Sequence, residues 1–189
     1  MHPERRIEVA GGLHHVYSRG NQRDPIFLDE LDYVAFLRRL AKVIAKFGWL
    51  CHSFCLMPNH FHLLIETPEP NRGAGMQVLN LTYARWFNWR HRRVGHVFQG
   101  PYGLTHVLRD VHLMELCRYI VMNPVRAFLV ADPADWPWSS YRATAGLEPA
   151  PPYLTVDRIQ AYFAQPGRSG AEEFRDFVAG AVVSLDLVG

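Results

Sequence analysis

The stretch Trp49–Thr67, WLCHSFCLMPNHFHLLIET, decides the fold. Two apolar runs, Trp49–Met57 and His60–Thr67, flank Pro58-Asn59, and turn residues between two such runs read as a β-hairpin. Side chains alternate along a strand, so His60 and His62 share one face while Phe61 and Leu63 take the other. Two imidazoles on one face can hold a divalent ion. His-x-His is a weak signal alone; barrel hydrolases that use it need roughly 250 residues, more than this chain has.

Working outward, Leu13–Arg19 reads as a strand ended by Gly20-Asn21. Asp29 is a helix cap, and Tyr33, Phe36, Leu37, Leu40, Ile44 and Phe47 recur at helical spacing up to Gly48. Pro68–Gly75 reads as a loop. Met76, Leu79, Tyr83, Trp86 and Phe87 then mark a second helix, and Leu104–Leu108 a short strand. Asp110 caps a third helix with core positions Leu113, Leu116, Cys117 and Ile120, and Pro124 stops it. The order strand, helix, strand, strand, helix, strand predicts an α+β, ferredoxin-like split βαβ fold. That fold is a four-stranded antiparallel sheet with helices on one face, followed here by a third, tyrosine-bearing helix. Gly146–Pro152 reads as a linker, so residues 1–145 are expected to form the main domain. Residues 146–189 are expected to form a linker and helical appendage, with helices over Thr155–Phe163 and Ala171–Val183.

Charge is unevenly spread. Residues 72–126 carry Arg72, Arg85, Arg90, Arg92, Arg93, Arg109, Arg118 and Arg126 against Asp110 and Glu115, with no lysine. Arginine grips phosphate bidentately and stacks on bases. No apolar run reaches the ~18 residues of a membrane span, and the charged start does not resemble a secretory signal. Cys51, Cys55 and Cys117 are an odd, unpaired set, which fits a reducing cytoplasm and not a disulfide framework. Cys51 and Cys55 would splay apart on a strand, which disfavours a zinc site.

Tyr119 and Asn123 stand one turn apart on the third helix, in a ridge begun by Glu115. Separately, Tyr119 reads as a rim tyrosine and Asn123 as a capping residue. If the ridge faces the histidine strand, however, the Asn123 amide oxygen becomes a third metal ligand beside a phenol. Phenols titrate near 10 and need help as nucleophiles. A metal on a phosphate oxygen supplies it. Two nitrogen donors and one oxygen suit Mn²⁺ better than Mg²⁺, though abundance favours Mg²⁺.

At these residues the chain resembles the HUH single-tyrosine transposases, most closely their REP-associated tyrosine transposase branch. The matching blocks are Leu13–Phe27 (LHHVYSRGNQRDPIF), Cys55–Ile65 (CLMPNHFHLLI), Gly95–Gly100 (GHVFQG), Leu116–Ala127 (LCRYIVMNPVRA) and Trp136–Tyr141 (WPWSSY). The resemblance implies a metal-dependent enzyme that cleaves and rejoins single-stranded DNA near hairpins. His60, His62 and Asn123 would hold Mg²⁺ or Mn²⁺. Tyr119 would form a 5′-phosphotyrosine link and release a 3′-OH. Arg19, Asn21, Arg23, Gln99, Arg118 and Arg126 fall in or beside the matching blocks and are expected to contact DNA. The family usually continues past Phe98-Gln99-Gly100 with a basic residue and an aromatic; here Pro101-Tyr102-Gly103 follows. The expected partner is single-stranded or hairpin DNA, with no membrane, and the enzyme a monomer or homodimer. Two alternatives stay open from the residues alone. One is a non-catalytic RRM-like binder stacking bases on Tyr17, Phe54 and Phe61. The other is a metal phosphodiesterase with water as nucleophile.

Overall fold

Helix α1 (Glu30–Phe47) begins and ends where local chemistry dictates. The Asp29 carboxylate accepts from the Leu31 and Asp32 amides, and Gly48 closes the helix at φ 67°. The computed structural model describes the backbone of residues 8–107 and 110–186, with the side chains of all but 110–112 and 181–186. Its other elements are β1 (Gly12–Arg19), β2 (Leu50–Met57), β3 (His60–Thr67), α2 (Arg72–His91), β4 (Gly103–His106), α3 (Asp110–Val121), α4 (Asn123–Arg126), α5 (Tyr141–Thr144), α6 (Asp157–Phe163) and α7 (Gly170–Asp186). The expected capping by the Asp110 side chain and the end of the fourth strand at Leu108 lie outside the described residues.

The four strands form one antiparallel sheet in the order β2-β3-β1-β4, the arrangement expected of a split βαβ unit. Helices α1 and α2 cover one face. There Val16, Leu56, Phe61, Leu63 and Ile65 meet Phe36, Leu40, Leu79, Tyr83 and Phe87 in a buried core. The opposite face carries Cys55, Met57 and Leu64, which pack under Leu113, Cys117, Ile120 and Val121 of α3. Strand parity therefore sends Phe61 and Leu63 toward α1 and α2, and leaves His60 and His62 on the α3 side. Phe54 and Phe61 are buried in the helix-covered core and cannot stack on bases, which removes two of the three aromatics the RRM-like alternative needs.

Two local expectations are corrected. The segment read as a loop to Gly75 is helical from Arg72. Gly75 is there for close packing: a Cβ on it would fall 2.1 Å from the Trp49 ring, whose indole N–H donates to the Asn71 side chain at 2.7 Å. Pro124 interrupts the helix but does not end helical structure. Helix α3 stops at Val121, and a further turn, α4, starts with Pro124 in its first positions.

The chain past residue 127 seals the exposed edge of β2. Leu56 N–H donates to the Trp138 carbonyl, Ser140 N–H to the Phe54 carbonyl and Thr155 N–H to the Cys51 carbonyl, at 2.8, 2.9 and 2.7 Å. Unpaired sheet edges invite aggregation, and such cover blunts them. Beyond Gly146–Pro152, Ile159, Phe174 and Val178 complete the core beneath α3. The three cysteines are free and buried. Burial pushes the thiols up, to about 12 at Cys51 and Cys117, so they are inert packing residues. Among the described residues no helix is long and apolar enough to cross a membrane.

Candidate active site

The antiparallel register of β1 and β3 sets Tyr17 opposite His62 and Arg19 opposite His60. Cross-strand partners share a face, so His15, Tyr17 and Arg19 join the histidine pair on the α3 side. Helix α3 brings Tyr119 over them. The Tyr119 ring centroid lies 5.7 Å from that of His62 and 6.3 Å from that of His15, edge-on to both. The His60 and His62 rings are 4.9 Å apart. His62 is 6% exposed and Tyr119 39%, so the cluster has a dry floor and an open mouth.

Neighbours set which nitrogens are free. His60 Nδ1–H donates to the Asn59 side-chain oxygen at 2.7 Å, which leaves Nε2 as its lone-pair nitrogen. His62 Nδ1 is 2.9 Å from His15 Nε2. With the hydrogen on Nδ1, His62 also offers Nε2, and His15 stands where an outer partner would orient a ligating imidazole. His15 carries no spacing signal in the sequence; its place follows from the β1–β3 register alone. Burial is the main cause that lowers these imidazoles from their ordinary 6.5. His60 falls to about 4, with help from Arg19. His62 falls to about 2, with help from His60, His15 and Arg19, and His15 falls to about 4 by burial. All three are neutral at physiological pH, the form that binds metals.

Asn123 follows Tyr119 by one turn. Its amide nitrogen donates to the carbonyls of Tyr119 and Ile120 at 2.8 and 3.3 Å, so its oxygen is the atom left for a cation. Among the described residues no group of three or more His, Cys, Asp or Glu side chains is set to hold a metal. The residues that could hold a cation here are the expected mixed set of two imidazoles and one amide. Neutral, oriented imidazoles with free Nε2 atoms fit such a cation.

The expected DNA-contacting residues divide. Arg19 lies near enough to depress both histidines. Arg126 stacks its guanidinium over the Tyr119 ring at 5.4 Å. Gln99 lies beside β1, its N–H donating to the Arg19 carbonyl at 2.9 Å. Asn21 and Arg23 form the turn after β1, pinned where Asn59 donates to the Arg23 carbonyl at 3.1 Å. Arg118 is not brought to the cluster. It pairs with Glu115 and covers the Phe177 ring at 4.3 Å, because the residue before Tyr119 on a helix points about 100° away.

The sheet order and the helix laid across its histidine-bearing face define a ferredoxin-like α+β protein with a helix-borne tyrosine. A model of the family described as Transposase IS200 like matches residues 9–123, more than half of the chain, and the chain belongs to that family. It is thus a transposase, an enzyme that acts on DNA. A protein of Haemophilus influenzae (strain ATCC 51907 / DSM 11121 / KW20 / Rd), provisionally named as a REP-associated tyrosine transposase, is 27% identical over 151 residues, spanning 72% of this chain and 84% of that protein. A REP-associated tyrosine transposase solved bound to a REP hairpin shares the fold with a TM-score of 0.66 at 18% identity, covering 83% of this chain and 93% of that one.

Proposed function

We propose that this transposase nicks and rejoins single-stranded DNA beside a hairpin, with Tyr119 as nucleophile and His60, His62 and Asn123 holding a divalent cation. The supporting observation is the 5.7 Å separation of the Tyr119 and His62 rings within one chain. Attack of the Tyr119 oxygen on phosphorus forms a tyrosyl ester and breaks the bond to the 3′ oxygen. The 5′ phosphate stays on the protein, the phenolic proton passes to solvent, and the departing oxygen takes up a proton to become a 3′-OH. One phosphoester replaces another, so rejoining needs no ATP. A bound Mn²⁺ or Mg²⁺ would supply positive charge to the phosphate oxygens and so assist in-line attack. His15 and Asn59 hold the two imidazoles in place, while Arg19 and Arg126 offer charge to flanking phosphates. In this reading residues 1–145 are the catalytic unit, residues 146–189 are its appendage, whose Ile159, Phe174 and Val178 buttress α3, and the enzyme works in the cytoplasm.

The test is a denaturing gel of protein incubated with Mn²⁺ and hairpin-bearing single-stranded DNA. A covalent adduct is expected, and Tyr119→Phe abolishes it while DNA binding persists. Cleavage that survives Tyr119→Phe without an adduct would instead establish water as the nucleophile.

A further inference from the structure

Beside the histidine face a cleft of about 380 Å³ opens between the end of β1 and residues 99–103, lined by Tyr17, Arg19, Gln99 and Gly103 among others. Tyr17 and Gly103 are cross-strand partners. A Cβ on Gly103 would fall 2.0 Å from Tyr17 Cζ, so the Tyr17 ring lies over the bare glycine backbone, as aromatics do opposite strand glycines. The ring keeps 38% exposure and sits 5.9 Å from His62. Pro101 adds no charge, and the Tyr102 hydroxyl turns away to meet the buried Arg72 at 3.2 Å. Among the described residues lining the cleft, Arg19 is the only cation.

We propose that this cleft binds one unpaired nucleobase, that of the nucleotide adjoining the phosphate presented to Tyr119. The base stacks on Tyr17, its edge meets the Gln99 amide, and Arg19 holds the neighbouring phosphate. An exposed aromatic face beside an amide and a guanidinium is the chemistry by which proteins hold single-stranded bases. The assignment rests on the function proposed above. It names Tyr17 as a stacking residue and Gly103 as the residue that lets the ring lie open.

Binding is measured in the Tyr119→Phe background, which removes the nucleophile. The probe is a hairpin oligonucleotide with eight randomised flanking nucleotides, enriched by selection on the protein, then carrying 2-aminopurine at each flanking position in turn. One flanking position is expected to be quenched. Adding Tyr17→Ala should abolish that quenching and raise Kd about five- to a hundred-fold, the range of one lost base stack. Tyr17→Phe should leave both unchanged. Gly103→Ala, whose methyl displaces the ring, should weaken binding in the same direction. Mn²⁺ affinity of the Tyr17→Ala protein should match its parent's, which separates lost stacking from a collapsed histidine cluster. Unchanged quenching and Kd in Tyr17→Ala would overturn the subsite, as would loss of Mn²⁺ binding in that variant. An adduct formed by Tyr17→Ala at wild-type Kd would sink the subsite and leave the proposed function standing. Tyr17-dependent quenching without any adduct from the wild type would do the reverse.

Discussion

His14 and His15 are neighbours in sequence and opposites in role, because a strand turns them to different faces. His15 supports His62. His14 faces α2, with Arg72 Nη1 3.4 Å from both ring nitrogens and His106 edge-on at 5.0 Å. Burial first, then Arg72 and His106, lower His14 from 6.5 to about 4. Between those values the unfolded chain binds a proton that the folded chain refuses, so stability falls as pH drops through that window and is fully present above 6.5. The urea midpoint of the metal-free protein should therefore fall from pH 6.5 to pH 4. His15, His60 and His62 are lowered over the same window, so His14→Phe should make that slope shallower by its own share, whatever it does to the midpoint at neutral pH. A variant with the parental slope would remove His14 from the explanation.

At the scale of elements, α3 can present Tyr119 only if something holds its back. Leu113, Cys117 and Ile120 seat it on the sheet, and Phe174 of α7 joins the same core at 1% exposure. Arg118 adds a tie from α3 to Phe177. His52 binds Glu66 at 3.2 Å and the Thr155 carbonyl at 3.2 Å, and Arg158 also pairs with Glu66, fastening the chain before and within α6 to the sheet. Phe174→Ala should cost about 3–5 kcal/mol, a loss of roughly ten degrees in Tm for a chain this size. Calorimetry reads it directly, and a shift below about two degrees would mean that α7 is not part of the working core.

For the molecule as a whole, the histidine strand and Tyr119 meet within one chain. A mixture of Tyr119→Phe and His62→Ala proteins should then form no covalent DNA adduct. Adduct formation by the mixture would mean that two subunits exchange α3. The charge pattern also belongs to this scale. Several arginines of residues 72–126 have structural partners: Arg90 holds Asp29 and Asp32, Arg93 holds Asp24 and Arg72 is buried. The basic middle segment is thus a poorer guide to DNA contacts than its composition suggests.

The alternation of Trp49–Thr67 determined the hairpin and set His60 and His62 on one face, and helical spacing put Asn123 one turn past Tyr119; both follow from local backbone geometry that any strand or helix must obey. Asp29 and Gly48 likewise bounded α1 by chemistry legible in the chain. That α3 crosses the histidine face, that His15 and Tyr17 stand beside His62, that Arg118 turns to Phe177, and that Gly75 admits Trp49 were settled by long-range packing alone. Those facts depend on strand register and on which buried surfaces meet across long stretches of chain, and no local periodicity encodes a partner that lies fifty residues away.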